Sequence, residues 1–476
     1  MSVFTAAVDQ SLCAPLPVLG KDVTVPLVTG GEVTYAALDY AASAPALQRV
    51  WDDVAAYAPY YGSVHRGAGY LSQLSTDLFE NSRATVAEFL GCRLEGGPDE
   101  ARSGKGGGGR REGDQVIFTR STTDSLNLLA AVVPADCQVF VYETEHHASL
   151  LPWRDARVTY LNAPRTPAQA VETLERALAD RDPYGPALVC VTGASNVTGE
   201  LWPVKELAAA AHAHGARIVL DAAQLAPHHP IDIAELDVDW VAFSGHKLYA
   251  PFGSGVLAGR ADWLQGAEPY LAGGGASRKV ARRTDGGVDV EWHSTAARHE
   301  AGSPNVIGVY SIASACRALT EAGFDNLVAR EQQLVTAVRA GLAGVPEVKV
   351  LSLFGDDAPR VGVISFVVEG WNSSHFAAAL SAEYGIGVRD GLFCAHPLVR
   401  TLLGSDPQEV GECGAPEAEP GEGSLNAIRV SFGAGTPDEH IERFVRAVKE
   451  LVSKGARWKY RTEDGRCVPD RGAAQL

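Results

Sequence analysis

The stretch "FSGHKLYAPFGSG" occupies residues Phe243–Gly255 and holds a single lysine, Lys247. An apolar run, "WVAF" (240–243), leads straight into it, and glycines stand on both sides of the lysine. A short apolar run that ends in small and polar residues reads as a buried strand delivering its last residues to the edge of a sheet. A lysine there is either a surface residue in a turn or a group placed for chemistry. The neighbouring segments decide between the two.

Apolar runs of the same kind recur along the chain. They read as strands at "VIFT" (116–119), "VFVYE" (139–143), "VTYL" (158–161), "ALVCVTG" (187–193), "RIVLD" (217–221), "WVAFS" (240–244) and "GVLAG" (255–259). Between several of them lie segments with apolar residues at i, i+3 and i+4, such as 166–181 and 203–215, the second closed by Gly215. Strands alternating with helices predict an α/β fold with a mostly parallel, seven-stranded sheet covered on both faces. Past about residue 330 the pattern changes to a smaller α+β unit that ends in the helical run "PDEHIERFVRAVKELVSKG" (437–455). The expected organisation is an N-terminal segment (1–35), a large domain (36–330), a small C-terminal domain (331–455) and a polar tail (456–476) with no assigned role. Two Gly-rich, charged stretches, 95–115 and 404–424, lack the apolar residues to order themselves and read as flexible insertions.

Bulk composition narrows the functional class. The chain has 476 residues, 46% hydrophobic and 21% charged, which is ordinary for a soluble globular protein. Its 41 Lys and Arg against 58 Asp and Glu give a formal charge of −17, which argues against nucleic acid or anionic membrane as a partner. No apolar run is long enough to span a bilayer, and the N-terminus lacks a basic-then-apolar leader, so a cytoplasmic location is expected. The eight cysteines, at 13, 92, 137, 190, 316, 394, 413 and 467, form no CxxC and no zinc spacing.

Each expected strand brings polar residues to its carboxyl end, where α/β sheets bind ligands. After "VIFT" come Thr122 and Thr123 at the start of a helix, which fits an anion site or a plain N-cap equally well. "VYETEHHASLLPW" brings His146 and His147; no third ligand stands at a suitable spacing for a metal, so they read as an imidazole stacked on an aromatic ligand or as a loop histidine. "CVTGASNVTGE" gives Asn196, and "RIVLDAAQ" gives Asp221 and Gln224. A carboxylate such as Asp221 at a buried strand end needs a partner. Ser244, His246 and Lys247 end the next strand. One ligand uses them all: a phosphate, an aromatic ring with a basic nitrogen, and an aldehyde that a lysine can capture. That is pyridoxal 5'-phosphate.

The same segments carry a family resemblance. "LDYAASAP", "SVHRGAGYLS", "FTRSTTDSLNLLA", "EHHASLLPW", "SNVTGE", "DAAQ", "FSGHKLYAPFGSG", "EAGSPN" and "GVRDGLFCAHPL" resemble a class V (fold type I) pyridoxal-phosphate enzyme, more narrowly a group II cysteine desulfurase or selenocysteine lyase, from about Val33 to Val452. The resemblance implies that Lys247 binds the aldehyde, Asp221 pairs with the pyridine nitrogen, and His146 stacks on the ring. It further implies that Asn196 and Gln224 contact the ring's O3' side, and that Thr122, Thr123, Ser244 and His246 hold the phosphate. Ser303 of "AGSPN" would reach the phosphate in a partner subunit's site, which implies a homodimer. Arg429, with Arg389 as a second candidate, would grip the carboxylate of a small amino-acid substrate. Cys394 would take sulfur from L-cysteine as a persulfide and pass it to an acceptor protein.

The loop before that cysteine departs from the family pattern. It reads "RDGLFC", with Phe393 where the family has histidine and Asp390 where it has threonine, which makes the surroundings of the thiol more apolar. Another class V reaction on a different amino acid (an epimerase, a β-lyase or a transaminase) therefore stands beside the desulfurase reading.

Overall fold

The computed structural model describes residues 14–94, 113–404, 426–463 and 465–470. Most of both expected insertions lies outside the described residues. Residues 114 and 115, placed in the first insertion by their polarity, belong instead to the sheet, where they are buried as the start of a strand.

The large domain is built on a seven-stranded sheet: β1 Asp114–Thr119, β2 Gln138–Tyr142, β3 Arg157–Leu161, β4 Ala187–Thr192, β5 Arg217–Asp221, β6 Trp240–Ser244 and β7 Gly255–Arg260. The strand order is β1-β7-β6-β5-β4-β2-β3. Neighbours from β6 to β3 pair in parallel, and β7 runs antiparallel to both β6 and β1. The central strands are buried on both faces, so their sequences run apolar without alternation. Helices cover the two faces. One, Pro167–Ala179, starts at Thr166, whose hydroxyl accepts the Gln169 N–H, and has proline in its first turn.

The small domain carries a four-stranded antiparallel sheet of β8 Val348–Val350, β9 Val363–Val368, β10 Arg389–Gly391 and β11 Ala427–Ser431, in the order β8-β9-β11-β10. Residue 330, the expected boundary, lies inside the helix Phe324–Ala343, so one continuous helix joins the two units. A second tie comes from the turn after β4. Gly199 there has φ 74°, and a Cβ on it would stand 2.3 Å from the Val363 carbonyl oxygen. Only glycine lets this turn press against the small domain.

Three hairpins were not legible beforehand, the first pairing Thr24–Pro26 with Glu32–Thr34. Ser277–Arg282 pairs with Val288–Trp292 in an exposed arm. The polar tail also folds, as a hairpin of Tyr460–Glu463 and Arg466–Pro469. Its anchor is the buried carboxylate of Glu383, on the helix Ser373–Tyr384, which accepts from the Arg457 and Trp458 N–H groups and from the Tyr460 hydroxyl. Among the described residues, no helix is long and apolar enough to cross a membrane.

Candidate active site

The carboxyl ends of the large sheet face the edge of the small one across a pocket of about 230 Å3. It is lined by Thr122, Thr123, His146, Asn196, Asp221, Gln224, Ser244, His246 and Lys247 on one side and by Arg389, Phe393, Cys394 and Arg429 on the other.

Asp221 ends β5 and is 4% exposed. One of its oxygens accepts the Ser149 hydroxyl at 2.6 Å and the other accepts the Ala223 N–H at 2.9 Å. Ser149 comes from the short helix His147–Leu150 that follows β2. Beneath it lies a second carboxyl, Glu145, which accepts the Thr192 N–H at 3.0 Å. Burial, and then the charge of Asp221, push the Glu145 carboxyl well above the usual range, which favours its protonated form. Neither Ser149 nor Glu145 was singled out in the sequence, although both lie in "ETEHHASLL".

His146 caps that short helix. Its Nδ1 accepts the Ala148 N–H at 3.0 Å, which leaves Nε2 to carry the hydrogen of the neutral ring. Burial, reinforced by the nearby Lys247 charge, lowers its pKa to about 3. The imidazole therefore stays neutral at any working pH. His147 turns away, with its ring centroid 4.6 Å from that of His396. Among the described residues, no group of three or more His, Cys, Asp or Glu is placed to hold a metal ion.

Lys247 sits in the turn after β6. Burial lowers its pKa to about 8, against the attraction of Asp221. An amine so placed supplies a neutral nucleophile close to physiological pH.

At the far end the helix α1 (Thr122–Val132) opens toward the pocket. The Thr122 N–H donates to the Ser244 hydroxyl at 2.7 Å, and the two hydroxyls lie 2.8 Å apart. Ser121 caps the helix by accepting the Asp124 N–H. The loop fits because β7 begins with glycine: a Cβ on Gly255 would come 2.7 Å from the Ser121 Cα. Hydroxyls, helix N–H groups and the His246 ring thus converge where an anion would be held.

The opposite wall is assembled from distant segments. Arg389 and Arg429 are direct partners across the β10–β11 pair. Arg429 is 2% exposed, donates to the Asn196 carbonyl at 3.0 Å and pairs with Asp39 at 3.0 Å. Its guanidinium carbon lies 4.9 Å from the centroid of the Phe393 ring. Phe393 and Cys394 both take left-handed backbone angles, φ 53° and 54°. Two non-glycine residues in that region store strain, and the surroundings must hold them. The Asn196 side chain donates to the Phe393 carbonyl at 2.8 Å, the His147 N–H donates to the Cys394 carbonyl at 2.8 Å, and the Phe393 ring is buried among Leu351, Leu392, Leu398 and Val399. This clamp directs the Cys394 side chain into the pocket.

All the expected site residues converge on this pocket except Ser303. That residue is exposed and borders a separate cavity of about 930 Å3. The two amides have tasks that were not foreseen: Asn196 ties down the Cys394 loop, and Gln224 donates to the Ala41 carbonyl at 2.8 Å. Asp39 is a further carboxylate that the sequence pattern does not point to. It stands in the quoted "LDYAASAP", but its partners are some 350 and 390 residues away in sequence.

A model of the aminotransferase class-V family matches residues 36–96 and 109–444, and the chain belongs to that family. Its fold is that of the fold type I pyridoxal-phosphate transferases. Similar curated proteins are named cysteine desulfurase. One from Enterobacter sp. (strain 638) is 35% identical over 404 residues, covering 82% of this chain and 90% of that one. One from Escherichia coli O127:H6 is 33% identical, with 83% and 91% covered. Among solved structures, an apo cysteine desulfurase from Thermococcus onnurineus NA1 aligns with a TM-score of 0.72 at 28% identity, covering 88% of this chain and 95% of that one. The cysteine desulfurase CsdA (S-sulfonic acid) from Escherichia coli aligns with a TM-score of 0.69 at 28% identity and the same coverage.

Proposed function

We propose that the protein is a pyridoxal 5'-phosphate-dependent cysteine desulfurase, which removes sulfur from L-cysteine to give alanine and a persulfide on Cys394. One observation carries the reading: Cys394 and Arg429 close the same pocket that Lys247, Asp221, His146 and the α1 N-terminus open. The residues fit the cofactor. Thr122, Thr123, Ser244 and His246 suit a phosphate, the neutral His146 ring suits an aromatic face, Asp221 suits a protonated pyridine nitrogen, and Lys247 suits an aldehyde. When bound, the group supplies an electron-withdrawing ring that makes the substrate's Cα proton acidic.

The chain's residues do the rest. Arg429 binds the substrate carboxylate through its guanidinium fork, with Arg389 beside it. Lys247, its pKa lowered by burial, takes the Cα proton and later returns one. The Cys394 thiolate attacks the substrate's sulfur. A new S–S bond forms on Cys394 as the substrate's C–S bond breaks, and the carbon skeleton leaves as alanine. The persulfide then passes to an acceptor thiol. Selenocysteine fits the same groups. Ser303, exposed and away from its own chain's pocket, fits a phosphate contact in a partner subunit and hence a homodimer. The negative charge suits a cytoplasmic enzyme.

The test is an assay of the purified protein with L-cysteine and a reductant, following alanine and sulfide together. Wild type should release both. Cys394→Ala should lose them by about a hundredfold or more while keeping the visible absorbance of the bound cofactor, and Lys247→Ala should lose both activity and absorbance. Alanine formation at the wild-type rate in Cys394→Ala would refute the role of the thiol. A wild type that holds the cofactor and makes neither product would point to another class V reaction.

A further inference from the structure

We propose that Asp39 is a positioning residue that locks Arg389 and Arg429 into one clamp of net charge near +1, and so makes the pocket select amino acids with a single carboxylate. This rests on the reading of an amino-acid substrate and adds to it a charge rule for that substrate.

The starting point is the register of β10 and β11. Arg389 and Arg429 are direct cross-strand partners, so their side chains leave the sheet on one face, side by side. Like charges in that position repel. Arg429 is also buried, so its charge needs a partner within the fold. One carboxylate serves both arginines. Asp39 Oδ1 lies 3.0 Å from Arg429 Nη2, and Oδ2 lies 3.8 Å from Arg389 Nη1.

Asp39 is fixed by the strand that carries Arg429. The Ser431 N–H donates to the Leu38 carbonyl at 2.8 Å, the Tyr40 N–H donates to the Ser431 carbonyl at 3.3 Å, and the Ala41 N–H donates to the Ser431 hydroxyl at 2.9 Å. Ala41 and Ala42 then line the pocket, as do both arginines, whereas Asp39 itself does not. Its carboxylate, 30% exposed, therefore reaches the guanidiniums from outside the pocket lining. It holds them without occupying the place of a ligand. Arg429 keeps its Nε buried and without a hydrogen-bond partner.

The charge count follows. Two guanidiniums and one carboxylate leave this end of the site with about one positive charge, which one ligand carboxylate neutralises. A second carboxylate on the ligand meets the field of Asp39 with no further arginine in the pocket wall to balance it.

Calorimetric titration of the holoenzyme with L-alanine and with L-aspartate tests this. In wild type L-alanine should bind more tightly. Asp39→Asn should weaken L-alanine about tenfold through lost orientation, and leave L-aspartate nearly unchanged because the lost repulsion offsets the same loss. Asp39→Glu, which keeps the charge, should retain the wild-type preference. The pair Asp39→Asn with Arg389→Gln removes one charge of each sign and should restore that preference. Equal weakening of both ligands in Asp39→Asn, or no change in either, would overturn the proposal and leave the amino-acid reading standing. If wild-type holoenzyme binds neither ligand yet turns over L-cysteine, this proposal alone fails; if it also leaves L-cysteine untouched, the amino-acid reading fails with it.

Discussion

On the large-domain side of the pocket, each polar side chain sits at or within a few residues of a strand's last residue: Asp221 on β5 itself, Lys247 just past β6, Thr122 just past β1. On the small-domain side, Arg389, Arg429 and Cys394 are brought together by a cross-strand pair, a carboxylate from the start of the chain and an amide from the turn after β4. The first wall follows from a local rule, and Asp221, Thr122 and Ser244 are held by bonds within the same sheet edge. The second depends on contacts spanning hundreds of residues, and it holds a strained loop. A wall of the first kind can keep one cofactor in place while a wall of the second kind is altered to take different substrates. The departure at Phe393 falls on the second wall.

The Asn196 amide is where the two walls meet, so its removal should show the larger effect. Asn196→Ala deletes the bond to the Phe393 carbonyl, and sulfide release should fall about tenfold, in line with one lost hydrogen bond on a strained loop. Cofactor affinity, read from its visible absorbance on dilution, should change less than about threefold. The opposite split, with weaker cofactor binding and an unchanged rate, would move Asn196 to the first wall.

A smaller effect sharpens the same comparison from the cofactor side. Burial lowers the Lys247 pKa from 10.5 to about 8. Below that pH the amine is protonated and does not attack; above it the amine is a free nucleophile. Protein stripped of cofactor and then given pyridoxal 5'-phosphate should therefore gain visible absorbance faster as pH rises, with a midpoint near 8. A midpoint near that of an ordinary lysine would mean that the pocket does not depress it.

The first wall was legible in the sequence because strand ends announce themselves. An apolar run stops, and the residues that follow point at the ligand edge. Lys247, Asp221, His146 and Thr122 were all found in this way. Ser149 was not, because a serine one turn into a short helix looks like any other. Asp39 was hidden for a different reason: its role lies in its distance from Arg429 and Arg389, and no local pattern encodes that. The tail hairpin was missed because its strands bury no residue fully and show no alternation, while its anchor, Glu383, lies 74 to 77 residues away. The fold class was read from periodicity, and periodicity says little about an arm such as Ser277–Trp292 that is largely exposed.

The central claim is that Cys394 receives the sulfur. The direct measurement is mass spectrometry of the protein after brief exposure to L-cysteine without a reductant, with the peptides mapped. The account expects one added sulfur atom on the peptide that carries Cys394, absent after reduction and absent in Lys247→Ala. Alanine formed with no added sulfur on Cys394, or with the sulfur on another cysteine, would contradict it.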